Sequence, residues 1–514
     1  MSSMKMVAFR VSRQVCVLSI VVLLAAGVCL SKPAVSLSPK SGPPTSKLFV
    51  SGSGFKPYAA IDIYFDTKDE AKAIANGSGS FSKISIQTPK SALPGKHWVS
   101  AVQHSGQVGA QAPFLVNTNW TQFHFTPNHK GLNPYENVLN THTVGNLSLL
   151  WTYTTGGPVQ SPPIVANGVV YVGSNDGNVY ALKASTGALL WSFPTGETDP
   201  LSPVLAVSDG AVYVGSNPGQ GPFPFYALQA STGAVLWSFG TNVGVSSPPT
   251  IVNGVVYIGG FDWVYALNAS DGNEVWRGET QYTIASSMAF AEGAVYYSRS
   301  NGNLLNAEYS SPAVANGVVY FATDMVSLNA TDGSVRCSDG VNGMGALNAI
   351  TCSVLWSYTA GGTVTYSSPA VVNGVIYFGS DGGNVYALNA SNGTLLWSYT
   401  NGGVVQSSPA VANGVVYIGS DDNNLYALNA STGAQLWSYT TGGSVESSPV
   451  VANGVVYVGS DDGNLYAFGL TGGARGKGAS AKKEAAPNPP DLRTLIPDFN
   501  LKVPEPVARA GGAD

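Results

Sequence analysis

Charge is scarce in this chain. Of its 514 residues only 10% are Asp, Glu, Lys or Arg, and the net charge is −5. No basic cluster interleaved with aromatics occurs, so the electrostatic footprint of a nucleic-acid binder is missing. Cysteine is rarer still, with Cys16, Cys29, Cys337 and Cys352 as the whole complement. No two are adjacent and none stands in a Cys-x-x-Cys spacing, which leaves no thiol redox motif. The N-terminal apolar run, Val15 to Leu30, falls short of the roughly 20 residues of a transmembrane helix.

That run follows Lys5, Arg10 and Arg13 and ends near Ala25-Ala26-Gly27, the order of a secretory signal peptide, expected over residues 1–31. An uncleaved anchor is the other reading. Val28 before Cys29 speaks against a lipid signal. After cleavage no transmembrane span is expected, and the chain would be exported: periplasmic, at the cell surface or secreted. Cys337 and Cys352 would then meet oxidising conditions, where a pair forms disulfides.

What is abundant is glycine, 61 residues, in a phrase that repeats. GVVQSSPAVANGVVYIGSDDNNLYALNASTGAQLW runs from Gly403 to Trp437, and close copies start at Gly157, Gly362 and Gly443. Asn413-Gly414 between β-branched runs supplies the positive φ of a two-residue hairpin turn, so each copy reads as four short strands and three turns. Four strands per roughly 40 residues, repeated, spell propeller blades. The inner-hairpin tyrosines fall at 171, 213, 257, 296, 320, 377, 417 and 457, eight copies. The short interval of 24 and the long one of 57 together span two periods, which reads as one blade that lost its outer part and a next blade with an insertion. An all-β, eight-bladed propeller over 149–470 is expected, with a seven-bladed ring as the alternative. Leu149-Leu150-Trp151-Thr152-Tyr153 precedes the first copy and the last copy lacks an outer strand, so the N-terminal strand should close the ring.

Residues 32–117 lack the repeat but alternate short apolar runs with Ser, Gly and Pro, as a small β-sandwich would. Ser38-Pro39-Lys40-Ser41-Gly42, Gly52-Ser53-Gly54-Phe55 and Pro94-Gly95 resemble the immunoglobulin-like modules of the IPT/TIG type. Residues 118–148 form a connector with His124, His129 and His142. Their spacing matches no zinc pattern, and an extended segment whose Trp120, Phe123, Phe125 and Tyr135 pack on the blades is the stronger reading. Residues 471–514, rich in Lys, Ala, Gly and Pro, read as a disordered tail.

Tyr-Ala-Leu-x-Ala-x-x-Gly-x-x-x-Trp stands at Tyr180–Trp191, Tyr226–Trp237, Tyr265–Trp276, Tyr386–Trp397 and Tyr426–Trp437. The phrase resembles the tryptophan-docking repeat of the pyrroloquinoline-quinone-like (PQQ-like) propeller family. The resemblance implies that Trp151, Trp191, Trp237, Trp276, Trp356, Trp397 and Trp437 form a girdle between blades. Each such ring would bury roughly 150–250 Å². One junction, between Trp276 and Trp356, lacks its tryptophan. Nearby, Cys337 and Cys352 lie in a Gly-rich stretch, where a disulfide would close a short loop worth about 3 kcal/mol. A free thiol or redox switch is the alternative.

The family also includes quinone dehydrogenases, which use an adjacent cysteine pair, calcium ligands and often Cys-x-x-Cys-His. This sequence carries no adjacent cysteines, no Cys-x-x-Cys-His and no matching acidic motif. No catalytic residue, no metal site and no cofactor are therefore assigned, with PQQ and calcium kept as competing cofactors. Asp176, Asp381, Asp421-Asp422 and Asp461-Asp462 could offer calcium oxygens, but turns select the same residues. The copies disagree seven residues before the Asn-Gly turn, at Gln160, Ser246, Ala285, Tyr309, Tyr366, Gln406 and Glu446. Tyr309, Tyr366, Gln406 and Glu446 are the candidate contact residues at the propeller mouth. The leading function is a non-catalytic scaffold for a protein or cell-envelope component, with the sandwich as spacer. The competing function is a quinone-dependent dehydrogenase with a degenerate site.

Overall fold

The computed structural model describes residues 32–104, 108–195, 204–215, 223–241, 244–245, 247–260, 263–280, 284, 286–298, 310–322, 325–339 and 344–471. The expected signal peptide and nearly all of the tail lie outside this set, and so does Tyr309. No described helix is long and apolar enough to cross a membrane.

The blade is well seen in the repeat from Gly403. Ala410–Ala412, Val415–Gly419, Asn424–Asn429 and Gln435–Thr440 pair antiparallel in sequence order. Asn413 (φ 44°) and Gly414 (φ 81°) are both left-handed, as the tight primed turn requires. The second strand is buried throughout, because blades cover it on both faces.

Eight such sheets are present among the described residues. We number them as blades 1 to 8 by their innermost strands: Ile164–Ala166, Val204–Ser208, Thr250–Val252, Ala289–Ala291, Ala313–Ala315, Ala370–Val372, Ala410–Ala412 and Val450–Ala452. Each innermost strand touches the next, and that of blade 8 touches that of blade 1, so the ring is closed. Leu147–Thr154 pairs with Asn464–Leu470 and supplies the outer strand of blade 8.

Blades 4 and 5 correct the expectation of a lost outer part and an insertion. Blade 4 consists of Ala289–Ala291, Ala294–Ser298, Met325–Asn329 and Val335–Asp339, and blade 5 of Ala313–Ala315, Val318–Phe321, Met344–Asn348 and Val354–Tyr358. The chain makes both inner hairpins first and both outer hairpins afterwards. The two blades are thus interleaved and each is complete in four strands. Two sheets side by side in a closed ring let a hairpin cross to its neighbour over a short distance, which the tyrosine spacing alone does not distinguish from deletion.

The tryptophans dock as a girdle. Trp151, Trp191, Trp237, Trp276, Trp356 and Trp397 each donate Nε1–H to the carbonyl of an alanine in the next blade's outer turn: Ala184, Ala230, Ala269, Ala330, Ala390 and Ala430, at 2.9–3.1 Å. Trp437 differs, because blade 8 closes with the Leu147–Thr154 strand and has no such turn. It packs instead on Tyr439 and Phe468.

Residues 34–116 fold as two packed sheets. One comprises Ala34–Ser38, Lys47–Ser53 and Phe81–Gln87, and the other has five strands from Ser41–Gly42 to Gly109–Val116. Alternation along Lys47–Ser53 buries Leu48 and Val50 against Ile61, Ile63, Val99 and Phe114.

Candidate functional site

The two ends of the ring differ, and the connector makes the difference. Running beneath the hairpin turns, it meets the same backbone position of the innermost strand in blade after blade. Trp120 pairs in both directions with Val165 (2.7 and 2.8 Å). The N–H groups of Val207, Phe290, Val314, Val371 and Val411 then donate to the carbonyls of Thr121, Pro127, Asn128, Lys130 and Gly131 at 2.7–2.9 Å. Gln122 Oε1 accepts from Ile251 N at 3.2 Å. In blade 8, Asn133 Nδ2 donates to Val451 O at 2.8 Å and Thr118 exchanges two bonds with Asn453. All eight blades are pinned by one segment.

His124 and His129 lie within this segment, fully buried. His129 Nδ1 bonds Pro312 O (3.1 Å) and His124 Nδ1 bonds His129 O (3.3 Å), while Phe123 stacks on His124. Burial lowers both, to about 4 for His124 and, with the neighbouring His124, about 3 for His129. His142 stands exposed beside Thr141. Packing, the stronger expectation for this segment, accounts for the buried pair.

At the opposite end lie the loops entering each blade and the loops between its second and third strands. The paired acidic residues there divide their work. Asp422 and Asp462 serve the turn: Oδ1 accepts from Asn424 N (3.0 Å) and Asn464 N (2.9 Å), and Oδ2 accepts from the hydroxyls of Tyr426 and Tyr466. Asp176 does the same with Asn178 and Tyr180. Burial raises Asp176 and Asp462, but these bonds outweigh it and hold both below the usual range.

The preceding residues, Asp381, Asp421 and Asp461 in blades 6, 7 and 8, are released from that task. Each keeps a buried Oδ1 without a hydrogen-bond partner. Gln406 Nε2 donates to Asp421 Oδ2 (3.1 Å), and Thr365 donates to Asp381 Oδ2 (2.9 Å). Gln160 Nε2 donates to Glu446 Oε2 (2.9 Å) and accepts at Oε1 from Asn175 (3.0 Å). Burial raises Asp421 and Asp461 first; hydrogen bonds from Gln406 to Asp421 and from Gln160 and Glu446 to Asp461 work against it, and the charges of Asp461, Asp381 and Asp422 around Asp421, and of Asp462 beside Asp461, add to it. Glu446 is pushed to about 7 by burial, then by Asp461 and Asp421. The charges of Asp381 and Glu446 reach Tyr366.

Gln406, Glu446 and Tyr366 therefore share one arc of the mouth with Gln160. The arc's aspartates, Asp381, Asp421 and Asp461, which sequence reasoning assigned to turns, were missed. The signal was present in the copies: Asn175, Asp381, Asp421 and Asp461 occupy one repeat position, whereas Asp176, Asp422 and Asp462 occupy the next. Calcium prefers six to eight oxygens. Among the described residues no group of three or more His, Cys, Asp or Glu is arranged to hold a metal ion.

The family model described as outer membrane protein assembly factor BamB, of the PQQ_2 repeat family, matches residues 148–222, 175–343, 224–403 and 387–477. A stretch of 77 residues, 15% of the chain, is 34% identical to the dehydrogenase subunit of alcohol dehydrogenase (quinone) from Gluconobacter oxydans. The chain spans only 10% of that relative's length. Among solved structures, quinohemoprotein alcohol dehydrogenase ADHIIG from Pseudomonas putida HK5 superimposes with a TM-score of 0.52 at 17% identity, over 72% of this chain and 82% of that one. The quinohemoprotein alcohol dehydrogenase of Comamonas testosteroni gives 0.53 at 16%, over 69% and 80%. At these identities the likeness is one of fold.

Proposed function

The chain belongs to the PQQ_2 repeat family described as outer membrane protein assembly factor BamB, and on that premise we propose that it is an exported, non-catalytic propeller that binds a protein partner in the cell envelope. The observation that carries this reading is the asymmetry of the ring. One end is sealed by a segment bonded to every blade, while the other presents Glu446, Asp421, Asp461 and Asp381 beside Gln406 and Tyr366. Glu446, pushed up to about 7 by burial and then by Asp461 and Asp421, marks an acidic arc that favours a partner segment bringing Lys, Arg or amide donors, because each such group relieves the carboxylates' repulsion. The residues 34–116 sandwich, of IPT/TIG type in this reading, serves as spacer or second contact. Cys352 is disulfide-bonded, which supports an oxidising compartment and hence export.

The test is affinity capture from the native envelope fraction with the wild-type chain and with Tyr309, Tyr366, Gln406 and Glu446 all replaced by Ala. Partners held by the wild type should be lost from the variant, and an unchanged partner set would sink the mouth assignment. The dehydrogenase reading draws on the fold likeness and the 77-residue match. An absorbance titration with PQQ and calcium separates it, since a binder gives no response.

A further inference from the structure

Six blade junctions share one docking pair. The outer strand of each blade offers a tryptophan, and the next blade's outer turn offers a left-handed glycine under it. A Cβ on Gly187, Gly233, Gly272, Gly333, Gly393 or Gly433 would stand 2.5–2.8 Å from the ring of Trp151, Trp191, Trp237, Trp276, Trp356 or Trp397. The junction from blade 4 to blade 5 has neither partner. In the ladder of blade 4, Ser327 pairs with Cys337 as Ala266 pairs with Trp276 and Ala346 with Trp356. Cys337 thus holds the tryptophan position. In the outer turn of blade 5, Cys352 N donates to Asn348 O at 2.9 Å, as Gly272 N does to Asn268 O. Its φ of 60° is that of the glycine it replaces.

The two elements are docked in the usual way despite the exchange. Tyr296 of blade 4 donates its hydroxyl to Ala349 O in this turn at 3.1 Å, matching Tyr213 to Ala269 O and Tyr377 to Ala430 O. Where the pair is Trp and Gly, the tryptophan Cγ lies 3.2–3.3 Å from the added Cβ at Gly187, Gly233 and Gly433. The tryptophan Cβ is one bond further, which bounds the separation of the two Cβ atoms at about 4.8 Å and lets it overlap the roughly 3.5–4.5 Å that a disulfide spans. Cys352 is disulfide-bonded, while the side chain of Cys337 lies outside the described ones.

We propose that Cys337 and Cys352 form an inter-blade disulfide that replaces the Trp–Gly dock and ties together the two interleaved blades. The bond is no clip on a flexible loop. It is the covalent form of a contact that every neighbouring junction makes by packing. Its formation breaks two S–H bonds and makes one S–S bond. In thiol–disulfide exchange the two electrons and two protons pass to an incoming disulfide, which leaves as two thiols. The staple secures the junction where each outer hairpin arrives only after the neighbour's inner hairpin.

Met344 lies between the two cysteines, so cyanogen bromide cleavage of the full, thiol-blocked chain tests the pairing. The fragment ending at Met344 should stay joined to the one beginning at Gly345 until reductant is added. A free 326–344 fragment, or linkage of Cys352 to Cys16, Cys29 or a second chain, would overturn the pairing. The docking role is tested by the double variant Cys337→Trp/Cys352→Gly, which restores the dock of the other junctions. Its Tm should exceed that of Cys337→Ser/Cys352→Ser and should not move with reductant, whereas the wild-type Tm should fall. A restored pair no more stable than the double serine variant would refute the substitution of staple for dock, and the cleavage result stands on the wild-type chain alone.

Discussion

Trp191 of blade 1 lies against Gly233 of blade 2 so closely that a Cβ on the glycine would sit 2.8 Å from ring atom Cε3. Gly210, in the inner turn of blade 2, has an equally left-handed φ of 80° but nothing within 4 Å of an added Cβ. The two positions separate backbone strain from docking. Gly210→Ala should cost about 1–2 kcal/mol, the left-handed penalty alone. Gly233→Ala should cost that plus about 1–3 kcal/mol of overpacking against Trp191. Equal midpoints in denaturant for the two variants would show that the tryptophan dock yields freely.

Glu446 should make stability depend on pH in the unusual direction for a carboxylate. Its folded pKa of about 7 lies above the ordinary 4.5, so the folded chain holds a proton that the unfolded chain releases. The favourable contribution is present below pH 4.5 and is lost as pH rises through 7. Glu446→Gln should therefore be near neutral at pH 5 and stabilising at pH 8. The gain is on the order of 1 kcal/mol once solvent screening of a half-buried group is discounted. Denaturation of both proteins at the two pH values measures the difference, and a pH-independent effect would contradict it.

The ring was legible because packing residues repeat: tyrosine, tryptophan and the Asn-Gly turn mark every period, and the outer phrase Leu149–Tyr153 announces closure. The interleaving of blades 4 and 5 was not, since which sheet a hairpin joins is decided by ladders between Tyr296 and Ser327 and between Tyr320 and Ala346, residues that look alike in both registers. Half of the mouth arc was legible, where Gln406 and Glu446 depart from their copies. Asp421 and Asp461 were hidden by sharing a dipeptide with Asp422 and Asp462, whose turn bonds explain an Asp-Asp pair without reference to the axis. The pinning by the connector leaves almost no trace in residue type, because most of its contacts use backbone carbonyls.

Gln122 is the exception, a connector side chain that accepts a backbone N–H of an innermost strand where most other blades meet a connector carbonyl. Gln122→Ala should leave Ile251 N–H buried and unpaired at a cost of roughly 1–3 kcal/mol. Thr121→Ala keeps the carbonyl that pairs with Val207 and should cost much less. Amide hydrogen exchange is the direct readout. Faster exchange at Ile251 in Gln122→Ala, with Val165 and Val207 unchanged, is the expected pattern, and unaltered exchange at Ile251 would mean that the bond contributes nothing.

His124 and His129 should make the sealed end the acid-sensitive part of the ring. Both are held neutral by burial, with folded values of about 4 and about 3 against an ordinary 6.5. The unfolded chain therefore takes up protons that the folded chain refuses. Stability is full above pH 6.5 and falls as pH drops from 6.5 towards 4, by up to about 1.4 kcal/mol per pH unit for each histidine. The hydroxyls of Ser287 and Thr250 and the carbonyl of Pro312 around His129 include no carboxylate to rescue a cation. Asn tolerates the left-handed backbone that His124 (φ 52°) and His129 (φ 54°) adopt, so His124→Asn/His129→Asn removes the titration without new backbone strain. The double variant should be less stable at pH 7 through lost packing, yet should show a flatter decline between pH 6.5 and 4.5. Urea midpoints at pH 7.0, 5.5 and 4.5 decide the matter, and parallel declines for variant and wild type would place the acid sensitivity elsewhere.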